Sequence, residues 1–141
     1  MNKKNKLLIK ELDSLLPKSK TAKLNVLMID DEIRNLRCFK SLFRREANIF
    51  VALNKKEALE VVNNNDIDYV FCDYRIPGYN GADILKEIVY MFPKIKRTIV
   101  TGFCDISIVQ EFKRKSNTTD LIYKPYSIDD ILSRLFLTHQ N

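Results

Sequence analysis

Histidine occurs once, as His139, and the three cysteines, Cys38, Cys72 and Cys104, stand far apart with no Cys-x-x-Cys pair. A zinc site needs a tight cluster of such ligands, so none is expected. An odd number of scattered thiols fits a reducing compartment and buried structural cysteines. No apolar run approaches the ~20 residues of a membrane-spanning helix. Near the N-terminus the longest run is Leu7-Leu8-Ile9, too short for the core of a secretory signal. A cytoplasmic chain with no membrane partner is therefore expected. Internal repeats, low-complexity tracts and a Gly-x-x-x-x-Gly-Lys-Ser/Thr loop for nucleotide phosphates are also missing. What remains is one domain's worth of sequence: 141 residues, 45% hydrophobic and 30% charged, long enough to bury roughly two-thirds of its unfolded surface.

Positive charge is concentrated at one end. The chain carries +6, of which residues 1–23, with seven lysines against Glu11 and Asp13, hold +5. The sequence thus divides into a basic segment, 1–23, and a near-neutral domain, 24–141. In the segment, Leu8, Leu12, Leu15 and Leu16 share one face of a short helix closed by Pro17, and 18–23 reads as a linker. Arg44-Arg45 and Lys113-Arg114-Lys115 fall near expected helix C-termini, where they complement the dipole. They do not form the clustered basic face of a nucleic-acid binder, so nucleic acid is not an expected partner.

Strand and helix patterns alternate through the domain. Leu24–Ile29 is an apolar strand ending at Asp30-Asp31, followed by helical spacing of Ile33, Leu36, Phe39 and Phe43. Asn48–Leu53 reads as a strand, and Asn54 caps a helix carrying Ala58, Leu59 and Val62, with Glu57 placed as in a capping box. Ile67–Cys72 is a strand ended by Asp73, and Tyr74–Gly81 is a loop by composition. Leu85, Ile88, Val89 and Phe92 mark the next helix. Arg97–Val100 is a strand ending at Thr101-Gly102, with Asp105 capping a helix through Ile108, Val109 and Phe112. Leu121–Tyr123 ends at Lys124-Pro125, and Ser127 caps a last helix through Ile128, Ile131, Leu132, Leu135 and Phe136. Five strand–helix units imply an α/β, doubly wound parallel sheet with helices on both faces, the flavodoxin-like architecture. Met28-Ile29, Val70-Phe71 and Ile99-Val100 have the unbroken apolarity of strands covered on both sides.

Ligands of such sheets sit beyond the carboxyl ends of the strands. Those ends carry Asp30 and Asp31, Asp73, Thr101 and Lys124. Each alone reads as a cap or a turn residue, but all five fall on one edge of one sheet. Carboxylates crowded to 4 Å repel by about 4 kcal/mol per pair at an effective dielectric of 20, so one is protonated or a cation lies among them. Oxygen ligands without a neighbouring histidine suit a hard ion, Mg2+ with retained waters or Mn2+ in its place. Cys72 should point to the opposite face of its strand and is not a ligand. A hard cation, an ammonium (Lys124) and a hydroxyl (Thr101) around an exposed carboxylate (Asp73) are the parts of phosphoryl transfer to that carboxylate. With no nucleotide loop, the donor is expected to be a phosphorylated protein or a small phosphodonor.

Over residues 24–137 the sequence resembles a response regulator receiver domain of two-component signalling. The resemblance is carried by Val26-Leu27-Met28-Ile29-Asp30-Asp31-Glu32, Asp73-Tyr74-Arg75-Ile76-Pro77-Gly78-Tyr79-Asn80-Gly81, Thr101-Gly102 and Lys124-Pro125. It implies strand order 2-1-3-4-5 and a phosphoryl group received on Asp73 from a histidine kinase or histidine phosphotransfer protein. It further implies magnesium held by Asp31, Asp73 and the backbone carbonyl of Arg75, with Asp30 acting partly through water, and a cis Lys124-Pro125 bond. The residues two beyond Asp73 and Thr101, here Arg75 and Phe103, are implied to tune dephosphorylation; both are bulky, so slow decay is expected. The chain departs from the family where an aromatic switch residue is usual, since that position is Leu121. Tyr123 shares its side of the strand and is a candidate for part of the readout.

No output module fits after the last helix, so a stand-alone receiver signalling through its own surface to a downstream protein is expected. Phosphorylation would then shift a two-state equilibrium at the face formed by the helix after Asp105, the strand 121–123 and the last helix. The alternatives are a phosphorylation-independent binding module that grips an anionic partner with residues 1–23, and a receiver fragment of a hybrid kinase. A magnesium phosphatase with an aspartyl intermediate shares the chemistry but usually needs a cap domain that this length excludes.

Overall fold

A computed structural model describes residues 22–102, 110 and 120–139. The amphipathic helix and most of the linker expected in 1–23, Phe103, Cys104, the helix after Asp105 and Lys113-Arg114-Lys115 lie outside the described residues. The elements are β1 (Leu24–Ile29), α1 (Ile33–Phe43), β2 (Ala47–Ala52), α2 (Lys55–Asn64), β3 (Tyr69–Asp73), β4 (Arg75–Ile76) and β5 (Tyr79–Asn80). They continue with α3 (Gly81–Met91), β6 (Lys96–Thr101), β7 (Asp120–Tyr123) and α4 (Ile128–His139). Five strands form one sheet in the order β2-β1-β3-β6-β7, every pair parallel. With the two short strands set aside, this is the expected 2-1-3-4-5 order.

Alternation along each strand builds the two cores. Leu27, Ile29, Val70, Cys72 and Ile99 face Ala58 and Val62 of α2 and Ile84, Leu85 and Ile88 of α3. Their neighbours Val26, Met28, Tyr69, Phe71, Val100 and Ile122 face Leu36, Phe39 and Phe43 of α1 and Ile131 and Leu135 of α4. Adjacent residues of a strand point to opposite faces, so an unbroken apolar strand fills both layers. Phe39 ties the second layer together, its ring centroid 4.8 Å from Phe43 and 5.7 Å from Phe71.

Two details differ from the sequence reading. Tyr74–Gly81 is more than a loop: Arg75 pairs with Asn80 and Ile76 with Tyr79 in an antiparallel hairpin, and Gly81 already belongs to α3. Pro77 sets the turn and Gly78, at φ 82°, supplies the left-handed residue it requires; the buried Ile76 pins the hairpin to the core. Ile33, Ile128 and Phe136 follow the apolar spacing but stay about half exposed. Ile33 and Ile128 open their helices beyond the carboxyl edge of the sheet, and Phe136 is rotated off the stripe of Ile131 and Leu135. Among the described residues no helix is long and apolar enough to cross a membrane.

Candidate functional site

Three of the acids meet at the carboxyl edge of the sheet. β1 and β3 are adjacent, with Ile29 opposite Cys72, so the residues that follow, Asp30-Asp31 and Asp73, emerge side by side. One carboxylate oxygen of each of Asp30, Asp31 and Asp73 lies within 4.8 Å of the others. Asp30 is fully buried and Asp31 exposed. The side chain of Asp73 retains 14% of its exposure.

Lys124 completes the cluster from the far side. Its Nζ lies 3.4 Å from Asp30 Oδ2 and 3.5 Å from Asp73 Oδ2. The backbone N–H of Lys124 donates to the Thr101 carbonyl at 2.7 Å, which fastens the lysine to the end of β6. Thr101 is buried and follows Val100, the register partner of Asp73. The Tyr74 N–H donates to the Val100 carbonyl at 3.0 Å, so the segment leaving Asp73 stays tied to the same strand. The Lys124-Pro125 bond is cis, as the resemblance implied.

Burial pushes the Asp73 carboxyl above its ordinary value, the charge of Lys124 opposes that shift, and the charge of Asp30 adds to it. Cys72 Sγ lies in the layer beneath α2 and α3 and donates to the Asp73 carbonyl oxygen at 3.3 Å; it is not among the clustered ligands, and burial raises its thiol well above the ordinary range. The donor set is therefore hard oxygen alone, and it fits a divalent cation such as Mg2+.

The other singled-out residues sit around this centre. Arg75 is exposed and, with Asp31, Tyr74 and Tyr79, lines a cavity of about 610 Å³ beside the cluster. Leu121 packs against the layer beneath α2 and α3, and Tyr123, two residues on, is 45% exposed. Arg44 and Arg45 are exposed just past α1, as expected of residues answering a helix C-terminus.

Two residues of the site had no role in it assigned by the sequence reading. Gly81 closes the hairpin with its N–H on the Tyr74 carbonyl at 2.7 Å. A Cβ there would overlap the Asp73 carbonyl oxygen and stand 3.1 Å from Cys72 Sγ. Glycine is thus required by close approach to the backbone of Asp73. Asn35 donates from Nδ2 to Asp30 Oδ2 at 3.1 Å; nothing in the periodicity of α1 separates it from an ordinary surface asparagine.

The profile of the response regulator receiver domain matches residues 26–136. The sporulation initiation phosphotransferase F of Bacillus subtilis (strain 168) is 31% identical over 107 residues, 75% of this chain and 86% of that relative. The hydrogenase transcriptional regulatory protein HoxA of Cupriavidus necator is 25% identical over 76% of this chain, and the transcriptional regulatory protein ZraR of Escherichia coli (strain K12) is 29% identical over 79%. The chain spans just 22% and 25% of the lengths of these two. Among solved structures, the receiver domain of the Francisella response regulator 1452 superposes with a TM-score of 0.72 at 26% identity, over 84% of this chain and 98% of that one. A CheY-like receiver domain protein from Methanospirillum hungatei JF-1 gives 0.75 at 21% identity, over 84% and 95%, a likeness of fold.

The chain belongs to the response regulator receiver domain family. It is a phosphoacceptor module of two-component signalling, a class that works with histidine kinases, phosphotransfer proteins and downstream effectors.

Proposed function

We propose that Asp73 accepts a phosphoryl group from a phosphohistidine of a histidine kinase or phosphotransfer protein, in a Mg2+-dependent step that switches the surface for a downstream partner. The observation that carries this reading is the convergence of Asp30, Asp31, Asp73 and Lys124 within a few ångströms at the sheet edge. A carboxylate oxygen of Asp73 attacks phosphorus, the phosphorus–nitrogen bond of the donor breaks, and its electron pair leaves with the imidazole, which takes a proton from solvent. Burial favours the protonated form of Asp73, and the charge of Lys124 opposes that, favouring the carboxylate that attacks. Lys124 then hydrogen-bonds a phosphoryl oxygen and the Thr101 hydroxyl donates to another. Asp31, Asp73 and the Arg75 carbonyl, with Asp30 acting partly through water, would hold a Mg2+ ion, which would supply positive charge against the phosphoryl oxygens. Arg75, exposed over the cavity beside Asp31, shields the acyl phosphate from water, with Phe103 assigned the same part.

Readout at Leu121 lacks the ring usual in the family, and the half-exposed ring of Tyr123 stands on the same side of β7. We assign Tyr123 a share of the readout; a Tyr123→Ala chain whose partner binding responds to phosphorylation as the wild type does would remove that assignment. The phosphoacceptor reading is tested by intact-mass measurement after incubation with phosphoramidate. The expected result is a gain of about 80 Da, one phosphoryl group, that requires Mg2+ and is abolished in Asp73→Asn. No gain in the wild type would defeat the reading.

A further inference from the structure

Asn35, in the first turn of α1, reaches the centre of the acid cluster. Its Nδ2 lies 3.1 Å from Asp30 Oδ2 and 3.4 Å from Glu32 Oε2. Both neighbours are carboxylates, which accept alone, so the amide turns its NH2 toward them. Asp30 is fully buried and its charge needs donors. Its Oδ1 accepts the Glu32 N–H at 2.9 Å, and its Oδ2 is shared between Asn35 and Lys124 Nζ at 3.4 Å. Lys124 also stands 3.5 Å from Asp73 Oδ2. One ammonium thus serves two carboxylates, and Asn35 is the neutral second donor to Oδ2 of the buried one.

We propose that Asn35 is a positioning residue that releases Lys124 from Asp30 to the phosphoryl group on Asp73. The proposal rests on Asp73 being the phosphoacceptor. Without the amide, Oδ2 of a buried carboxylate would depend on Lys124, and breaking that contact during transfer would leave the oxygen unsatisfied. With it, Lys124 turns to the phosphoryl oxygens while Asp30 keeps a donor. The same amide occupies a lone pair of Asp30 that a cation or its water would otherwise use. Asn35 therefore speeds phosphorylation and weakens divalent binding, two opposed effects. A side chain that simply held Asp30 in place would, on removal, lose both rate and affinity.

Asn35→Leu removes the donor at a position that shares a cavity of about 450 Å³ with Met28, Leu42 and Tyr126, and Asn35→Gln keeps the amide. Mg2+ is titrated calorimetrically into each unphosphorylated protein, and the rate with phosphoramidate is measured at saturating Mg2+. N35L is expected to bind Mg2+ several-fold tighter and to be phosphorylated about three- to tenfold slower, the scale of one hydrogen bond. N35Q moves both values back toward wild type. Unchanged or weaker Mg2+ binding, an unchanged rate, or N35Q matching N35L would overturn the proposal. Where the melting curve shows N35L unfolded, Asn35→Ala, which also lacks the donor and adds no charge, is held to the same two results. A wild-type chain that takes no phosphoryl group overturns the functional reading itself and this proposal with it.

Discussion

Asp73 sits where desolvation and Lys124 pull its proton in opposite directions, and burial wins: its carboxyl lies above the ordinary 3.8. The folded chain therefore binds a proton at Asp73 at pH values where the unfolded chain has released it. Stability falls as pH rises from the unfolded value through the raised folded value, and the loss persists at neutral pH. Asp73→Asn is accordingly expected to melt higher than wild type at pH 7 in the absence of Mg2+, with the gain vanishing as pH drops below that window. Melting curves across pH check this, and equal melting temperatures at pH 7 would contradict it. Arg75 belongs to the same scale: with its exposed side chain cut back in Arg75→Asn, the acyl phosphate is expected to decay several-fold faster. Dephosphorylation followed by intact mass reads the lifetime, and an unchanged one removes the shielding role. The placement of Asp30, Asp31, Asp73, Thr101 and Lys124 was legible because a parallel sheet gathers its strand ends along one edge. Asn35 was not, because its importance lies in a contact made across the turn to Asp30.

Helix starts explain much of how the elements were recognised in advance. Asn54 Oδ1 accepts the Glu57 N–H at 2.9 Å, and Ser127 and Asp130 exchange reciprocal bonds of 2.9 and 3.0 Å. Each is a side-chain cap written into four consecutive residues, so α2 and α4 begin where the sequence places them. Asn80 does the same for α3, accepting the Asp83 N–H at 2.8 Å, yet it was hidden within a stretch whose composition reads as loop. The β4–β5 hairpin was hidden as well, since two-residue strands have no periodicity to detect. It is held from outside: Lys55 pairs with Glu87 at 2.6 Å and stands 4.9 Å over the Tyr79 ring. The start of α3 also meets the backbone of Asp73, which separates two kinds of substitution. Asn54→Ala is expected to cost about 1 kcal/mol of stability and leave phosphorylation by phosphoramidate unchanged. Gly81→Ala displaces Asp73 and is expected to slow that reaction at least tenfold, the cost of moving a reacting group by about 1 Å being of order a hundredfold. Denaturant melts and phosphorylation rates on the two variants check the separation; a Gly81→Ala chain that reacts at the wild-type rate would contradict it.

At the scale of the whole molecule, the doubly wound order places β1 and β3 side by side at the centre and β6 and β7 beyond them. Acids from the first two and the ammonium that follows the last then converge without long loops, with Thr101 ending the strand between. A second polar chain ties the amino side of the sheet to the last helix: Tyr69 to Thr98 at 2.5 Å, Thr98 to Asp120 at 3.2 Å, and Arg134 to Asp120 at 2.7 Å. Both layers were readable from apolar strands and helical stripes; this polar chain was not, because its members lie in four separate elements of the sequence. The measurement that reaches the central claim most directly is peptide mapping of the chain after phosphoramidate treatment, with the acyl phosphate trapped by borohydride. The account predicts the modification on Asp73, absent when EDTA removes the divalent cation. A modification on Asp30, Asp31 or a hydroxyl side chain, or one that forms equally well in EDTA, would contradict it.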